Sequence, residues 1–281
     1  MESPLRYSLD YICRHLIQNE LGMWCSEKPE RCHYPQDGAK KLVHIEEESF
    51  WFVHRRDCVI KMVEKCPPEH FVMDVGGGNG LIAAGLKNAG FNVVLLEPNI
   101  KAAIHASERG ITQIICATLG QAQFEPHSIP AIGIFDVLEH IEDDRSFLKQ
   151  IREILGSQGR LYLTVPAFGF LWSLEDQYAQ HFRRYRMGPL QSVLHQCGFA
   201  VDYSTYLFSY LLMPLLCVKT IPTKLGLSKI STQEQIRQDH VIGLGLKKSI
   251  LDKINALELH RIMKGKRMLW GTSIMIAAHA C

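Results

Sequence analysis

The chain has 281 residues, 47% of them hydrophobic and 21% charged, and its 31 basic and 29 acidic side chains leave a net charge of +2. That length allows one domain of ordinary size plus an insertion, the composition excludes a disordered chain, and the near-neutral balance gives no case for nucleic acid as a partner. Nine scattered cysteines, an odd count, read as reduced thiols of a cytoplasmic protein, and the mixed, polar Met1–Asp10 does not read as a signal peptide.

Residues 1–48 form an N-terminal arm. Cys13, His15, Cys25, Cys32 and His33 fall within it and are ligand types that suit zinc. No C-x-x-C pair supports such a site, so these residues are expected to be incidental. After Glu46-Glu47-Glu48 comes an aromatic cluster, Ser49-Phe50-Trp51-Phe52. An amphipathic helix then runs over about 57–65 and stops at Pro67-Pro68. The cluster could dock that helix on a sheet. Alternatively, Trp51 and Arg55 close a ligand site, the guanidinium fork of Arg55 suiting a carboxylate.

Phe71-Val72-Met73-Asp74-Val75 reads as a buried strand, Gly76-Gly77-Gly78-Asn79-Gly80 as a tight loop, and Leu81 onward as a helix. Glycines at 76, 78 and 80 give D-x-G-x-G-x-G, not the G-x-G-x-x-G of a dinucleotide site. Such a loop strips side chains from the backbone and offers N–H groups to a polar ligand. Asp74 and residues 76–80 are therefore candidate ligand contacts. A second buried strand, 91–96, ends at Glu97-Pro98. Glu97 lies 23 residues past Asp74, where an acid can accept both hydroxyls of a ribose.

Asn99 is placed to cap a helix running to about Arg109, with Gly110 as its stop. A third strand over 112–116 leads into Ala117-Thr118. The fourth, 131–135, delivers Asp136-Val137-Leu138-Glu139-His140 to the sheet edge. A helix follows from about Glu142, and a fifth strand, 160–165, is stopped by Pro166.

D-V-G-G-G-N-G, the acid after the second strand, F-D-V-L-E-H-I and G-R-L-Y-L-T-V-P occur in that order over 71–166. Together they resemble the class I S-adenosylmethionine (SAM)-dependent methyltransferases. The closer resemblance is to methyltransferase-domain proteins related to the ubiquinone-pathway group. It extends to Leu171-Trp172-Ser173, His181-Phe182-Arg183-Arg184-Tyr185 and Gly271–Ala278. It implies a Rossmann-like α/β fold: a seven-stranded, mostly parallel sheet, helices on both faces and an antiparallel last strand. It also implies SAM as cofactor and S-adenosylhomocysteine as product, the amino-acid end of the ligand lying over the glycine loop and Asp136 nearby. The aspartate that many relatives use for the adenine amine is replaced by Ala117-Thr118. That leaves a backbone group, Thr118 or Gln121 for the task.

His140 and His181 are the candidate bases, imidazole titrating near pH 6.5. Asp136, Glu139 and His140 are spaced for one helical face, and D-x-x-E-H is similar to the E-x-x-E-H element with which some ubiquinone-pathway and small-RNA O-methyltransferases bind metal. With His181 they could hold a divalent ion, although the shorter aspartate disfavours it. Arg183, Arg184 and Arg186 suit either an anionic acceptor or ion pairs with Glu175 and Asp176.

The methyltransferase core is assigned to 49–206 and 268–281, interrupted by an apolar, helical cap over 207–267. The apolar run 206–218 is too short to span a membrane and contains Pro214. A helix over about 246–263 is expected to pack Ile250, Leu251, Ile254, Leu257 and Leu259 over the acceptor pocket. Lys219, Lys224, Lys229, Lys247 and Lys248 leave peripheral membrane contact open, with a buried cap preferred. The expected function is methyl transfer to a small-molecule or lipid- or sugar-linked acceptor, oxygen favoured over nitrogen. The alternative is a non-catalytic SAM- or nucleotide-binding regulator on the same fold; the loop spacing argues against a Rossmann oxidoreductase.

Overall fold

The computed structural model describes residues 9–26, 46–47, 49–226 and 248–281. Nine strands among them form one sheet: β1 (Ile17–Gln18), β2 (Trp24–Cys25), β3 (Phe71–Val75), β4 (Asn92–Leu96), β5 (Ile114–Cys116), β6 (Ile129–Phe135), β7 (Leu155–Pro166), β8 (Phe199–Leu207) and β9 (Ser273–Ala280). Their order is β1-β2-β5-β4-β3-β6-β7-β9-β8. Every residue of β3 and β6 is buried, as strands covered on both faces require. β3, β4, β5, β6 and β7 run parallel, and β9 is antiparallel to both β7 and β8.

The last seven of these strands are the expected ones, and the class is Rossmann-like α/β as expected. The sheet is two strands wider because the arm joins it. β2 pairs in parallel with β5 and β1 returns antiparallel to β2. Ile12, Cys13, Leu16 and Met23 anchor this extension in the core. Cys13, His15 and Cys25 form no three-ligand cluster among the described residues; Cys32 and His33 lie outside them.

Helices α1 (Phe50–Lys65), α2 (Leu81–Asn88), α3 (Ile100–Glu108), α4 (Asp144–Ile154), α5 (Leu174–Tyr178), α6 (Met187–Gln196) and α7 (Lys248–Met263) supply the main helical cover. α1 starts earlier than its apolar pattern suggests. Ser49 caps it by accepting from the Phe52 amide, so Trp51 and Arg55 ride on its first turns rather than on a preceding loop.

The cap departs from expectation in its packing. α7 buries Leu251, Glu258 and Ile262, with Asn255 half-buried between them, while Ile250 and Leu257 face solvent. That stripe turns toward α1, where the Glu258 carboxylate meets His54 Nε2 at 2.8 Å and accepts from the Phe208 and Ser209 amides at 3.0 and 3.3 Å. The helical segment 212–224, with a π-helical stretch at Leu216–Thr220, exposes Met213, Val218 and Ile221. No helix of the described residues is long and apolar enough to cross a membrane. Lys229 and Lys247 lie outside the described residues.

Candidate active site

The strand order reverses around β3, with β4 on one side and β6 on the other. Open α/β sheets leave a ligand crevice at the carboxyl end of such a point. Gly76, Gly78 and Gly80 there have φ of 69°, 55° and 75°, which side-chain-bearing residues rarely adopt. Gly77 is needed for space. A Cβ on it would stand 2.5 Å from both Asp74 Oδ2 and Leu95 Cδ1. The loop is stitched down by Gly76 N–H donating to the Leu96 carbonyl at 2.7 Å and Gly78 N–H donating to Glu97 Oε2 at 2.9 Å. Glu97 Oε1 accepts from the Asn99 amide at 2.8 Å. Each carboxylate oxygen thus keeps capacity for one more donor. Pro98 follows Glu97 directly in the chain, two residues past the end of β4.

Asp74 lies beneath the loop, buried, with no well-aligned donor on either oxygen. Burial, with the Glu97 charge adding to it, pushes its carboxyl up to about 7. Asn79 Nδ2 donates to Glu46 Oε1 at 3.1 Å, and Arg109 donates to Glu46 Oε2 at 2.8 Å and to the Asn79 carbonyl at 3.1 Å. Glu46 therefore fastens the segment before α1 to the loop. Sequence reasoning missed this; only the acidic run preceding Ser49 hinted at it.

Arg55 closes the crevice from α1. It is ion-paired to Asp136 and its guanidinium lies 4.5 Å from the Trp51 ring centroid. Burial lowers it to about 10, still protonated at neutral pH, while its Nε–H is buried without an acceptor. Trp51 stacks in turn on Phe208, centroids 5.5 Å apart. Asp136 has φ 56° and accepts from Thr164 Oγ1 at 2.7 Å. Thr118 and Gln121 satisfy one another in a capping box at the end of β5. Their side chains support the short helix 119–122.

The other side of the crevice is built from the end of β6 and the 166–188 segment. Residues 138–140 form a single 3-10 turn, not an α-helical face. Asp136 is consequently separate from Glu139 and His140, and the four-residue metal set is not assembled. Glu139, His140 and His181 do converge, one ligand atom from each lying within 4.8 Å of the others. The two imidazoles meet edge to face with centroids 4.7 Å apart. Glu139 is buried with Oε2 unpartnered, and burial raises its carboxyl to about 8. Burial, followed by the His181 charge, lowers His140 to about 4, so it is a neutral ring at physiological pH.

His181 is held by Asp176, which the sequence offers only as an ion-pair partner for the arginines. Ser173 caps α5, and Asp176 returns the capping box by accepting from the Ser173 amide at 2.8 Å. The same carboxylate accepts from Arg184 Nε and Nη2 at 2.7 and 2.9 Å and lies 2.9 Å from His181 Nδ1. Burial would raise Asp176, but the His181 and Arg184 hydrogen bonds outweigh it and hold it at about 2. Arg184 thus belongs to this network, while Arg183 pairs with Asp144 at 2.9 Å and Glu175 pairs with Lys219. The Ser-x-x-Asp pattern at 173–176 was the available signal.

A glycine loop that would not admit a Cβ, a paired acid at the next strand end and an orphaned arginine N–H at the same crevice fit the amino acid and ribose of SAM. This is the site of a class I SAM-dependent methyltransferase. The methyltransferase domain family profile matches residues 52–204, and the chain belongs to that family. The ubiquinone biosynthesis O-methyltransferase of Vibrio cholerae is 28% identical over 99 residues, 33% of this chain and 40% of that protein. A probable SAM-dependent methyltransferase of Mycobacterium tuberculosis is 21% identical over 130 residues, 46% of this chain and 47% of the relative. The chain thus spans less than half the length of these curated relatives. Among solved structures, a SAM-dependent methyltransferase of Thermotoga maritima, described as a possible histamine N-methyltransferase, superposes with a TM-score of 0.52 at 13% identity, covering 86% of this chain and 94% of that one. Phosphoethanolamine N-methyltransferase 2 of Haemonchus contortus, bound to SAM, gives 0.54 at 16% identity, covering 89% and 58%. These two share the fold.

Proposed function

We propose that the chain transfers a methyl group from SAM to a hydroxyl of a small or lipid- or sugar-linked acceptor in the cytoplasm, with His181 as general base. The observation that carries this reading is the buried Asp176 carboxylate 2.9 Å from His181 Nδ1. It fixes the proton on Nδ1 and leaves Nε2 as the acceptor of a proton, the tautomer a base needs. His140 packs beside it as a neutral ring.

SAM supplies an electrophilic methyl on a sulfonium. The residues that would hold it are the 76–80 loop and Glu97, with Arg55 at the carboxylate end against Trp51 and Asp136. Positioning is then the chief contribution of the protein. His181 Nε2 takes the hydroxyl proton as the acceptor oxygen is methylated, and Asp176 stabilises the imidazolium until that proton leaves to solvent. A hydroxyl gains more from such a base than a neutral amine does, and the similarity to an O-methyltransferase agrees with it.

The acceptor class is supported by the cap. Segment 212–224 borders the acceptor side through Lys219 to Glu175 and Thr220 Oγ1 to the Leu171 carbonyl, and it exposes Met213, Val218 and Ile221. An acceptor with an apolar tail, or one presented at a membrane surface, would find that face next to the base. The eight cysteines among the described residues are all free, which supports a reducing compartment.

The test is S-adenosylhomocysteine release across a panel of hydroxyl and amine acceptors, with and without lipid tails. Hydroxyl acceptors should turn over, and His181→Asn should abolish this without loss of cofactor binding. Turnover of amines alone would sink the base assignment. SAM binding with no turnover on any acceptor would favour a regulatory role.

One observation favours a second reading of the same edge. The unpartnered Oε2 of Glu139, together with His140 and His181, is a donor set that a divalent ion could take. Proton transfer by His181 needs no ion. Activity that survives chelation and Glu139→Ala would exclude the metal, and activity restored only by added divalent ion would establish it.

A further inference from the structure

The widened edge of the sheet carries a feature that methyl transfer does not use. Met23 and Cys25 are two residues apart on an extended segment, so their side chains share a face. Cys116 is the direct register partner of Cys25 on β5. Cys116 Sγ lies 3.9 Å from Met23 Sδ, and its pairing with Cys25 sets the two thiols side by side on neighbouring strands. Met23 is buried and both cysteines are half-buried. Three sulfurs from β5 and the segment entering β2 therefore face one point.

We propose that Met23, Cys25 and Cys116 form a binding site for a soft cation, the cuprous ion being the chemical type that fits. Two thiolates and a thioether are the ligands such an ion selects over harder metals. The spacing agrees. Sulfurs at about 2.3 Å from one ion in a trigonal plane stand about 4 Å apart, close to the Cys116–Met23 separation. Apart from these sulfurs, the neighbours named at the site are weak partners: Asn19 Nδ2 donates to Cys25 Sγ at 3.4 Å, and Cys25 Sγ lies 3.7 Å from the Met23 carbonyl. Binding is a ligand exchange without redox change. The two thiols release their protons to solvent as two metal–sulfur bonds form, and the thioether adds a third. The Glu97 amide donates to the carbonyl of Ile115, the residue before Cys116, at 2.9 Å, so this site borders the Glu97 end of the cofactor crevice.

The experiment is an anaerobic titration of the full chain with Cu(I) against a chromophoric Cu(I) chelator. One equivalent should be withdrawn from the chelator by the wild-type chain. That equivalent should be lost in Cys25→Ser and in Cys116→Ser, and weakened in Met23→Leu, which keeps the volume but removes the sulfur. It should persist in the Cys217→Ser/Cys281→Ser double variant, which removes the two exposed thiols among the described residues. Persistence in either of the first two variants, loss in the double variant, or a wild-type chain that never competes with the chelator would overturn the proposal. Should the Met23, Cys25 or Cys116 variants fail to bind S-adenosylhomocysteine and so prove misfolded, X-ray absorption on the loaded wild-type chain decides. A shell of three sulfurs at about 2.3 Å is expected, and a shell of nitrogen and oxygen would refute it.

Discussion

The cofactor side and the acceptor side of the crevice meet at the same sheet edge but are made differently. On the cofactor side the groups that would meet the ligand are mostly backbone amides, freed by glycine and braced by Glu97. On the acceptor side they are side chains tied to one another: His181 to Asp176, Asp176 to Arg184, His140 to His181. A backbone cradle recognises a ligand by shape and fails when anything is added to it. A side-chain network sets protonation and fails when anything is taken from it. Substitutions on the two sides should therefore separate binding from turnover.

The sharpest separation is expected at His181. Replacement by Asn should lower turnover by roughly 100- to 10,000-fold, the usual worth of a positioned base. Calorimetry should find S-adenosylhomocysteine affinity unchanged. Asp176→Asn should lower turnover less and alter its pH profile, because the ring loses the group that fixes its tautomer. A parallel loss of cofactor affinity in both variants would break the comparison. Next in size is Gly77→Ala. Its Cβ would collide with Asp74 and Leu95, so the loop must shift, and affinity should fall by about 100-fold, or about 2.7 kcal/mol. Turnover at saturating cofactor should suffer far less. Unchanged affinity in this variant would show that the loop does not cradle the ligand.

The same contrast explains what could be read from the sequence. Asp74, the glycines and Glu97 fall within 24 residues, and strand–loop–helix spacing alone brings them together. The acceptor side joins residues 139–140 to 176–184 across helix α4, strand β7 and the loop after it. His140 and His181 could be named as candidates, but their union depends on the Phe182 amide bonding to the Glu139 carbonyl at 2.8 Å. Asp136 was placed with Glu139 by helical spacing, and its left-handed φ takes it to Arg55 instead. The arm strands β1 and β2 are two residues each, too short to show a period. The buried stripe of α7 includes Asn255 and Glu258, polar residues that hydropathy assigns to the outside.

That stripe gives a third, smaller test. Glu258 reaches the cofactor side through Phe208, whose ring lies over Trp51, so it bears on the crevice through packing alone. Glu258→Gln keeps the shape but weakens hydrogen bonds to His54 and two amides. A cost of about 1–3 kcal/mol is expected, visible as a lower Tm, with the catalytic pH profile unmoved. A changed profile at unchanged Tm would mean that the latch tunes the base.

The smallest effect concerns Glu139, whose proton is kept chiefly by burial. Its carboxyl stands at about 8 in the folded chain against an ordinary 4.5. Between those values the folded chain keeps a proton that the unfolded chain has lost. Its contribution to stability is therefore complete below about pH 4.5 and disappears as pH rises through about 8. Asp74, raised to about 7, acts in the same sense but is spent earlier. His140, lowered to about 4, acts oppositely and only below its ordinary 6.5. Between pH 7 and 8 Glu139 is left as the main contributor among these three, with a slope of at most about 1.4 kcal/mol per pH unit. Denaturant unfolding across that interval should show stability falling in the wild type, a flat line in Glu139→Gln, and the wild-type fall retained in Asp74→Asn. A wild-type chain already flat there would mean that Glu139 is ionised, and its orphaned oxygen would then demand a cation beside it.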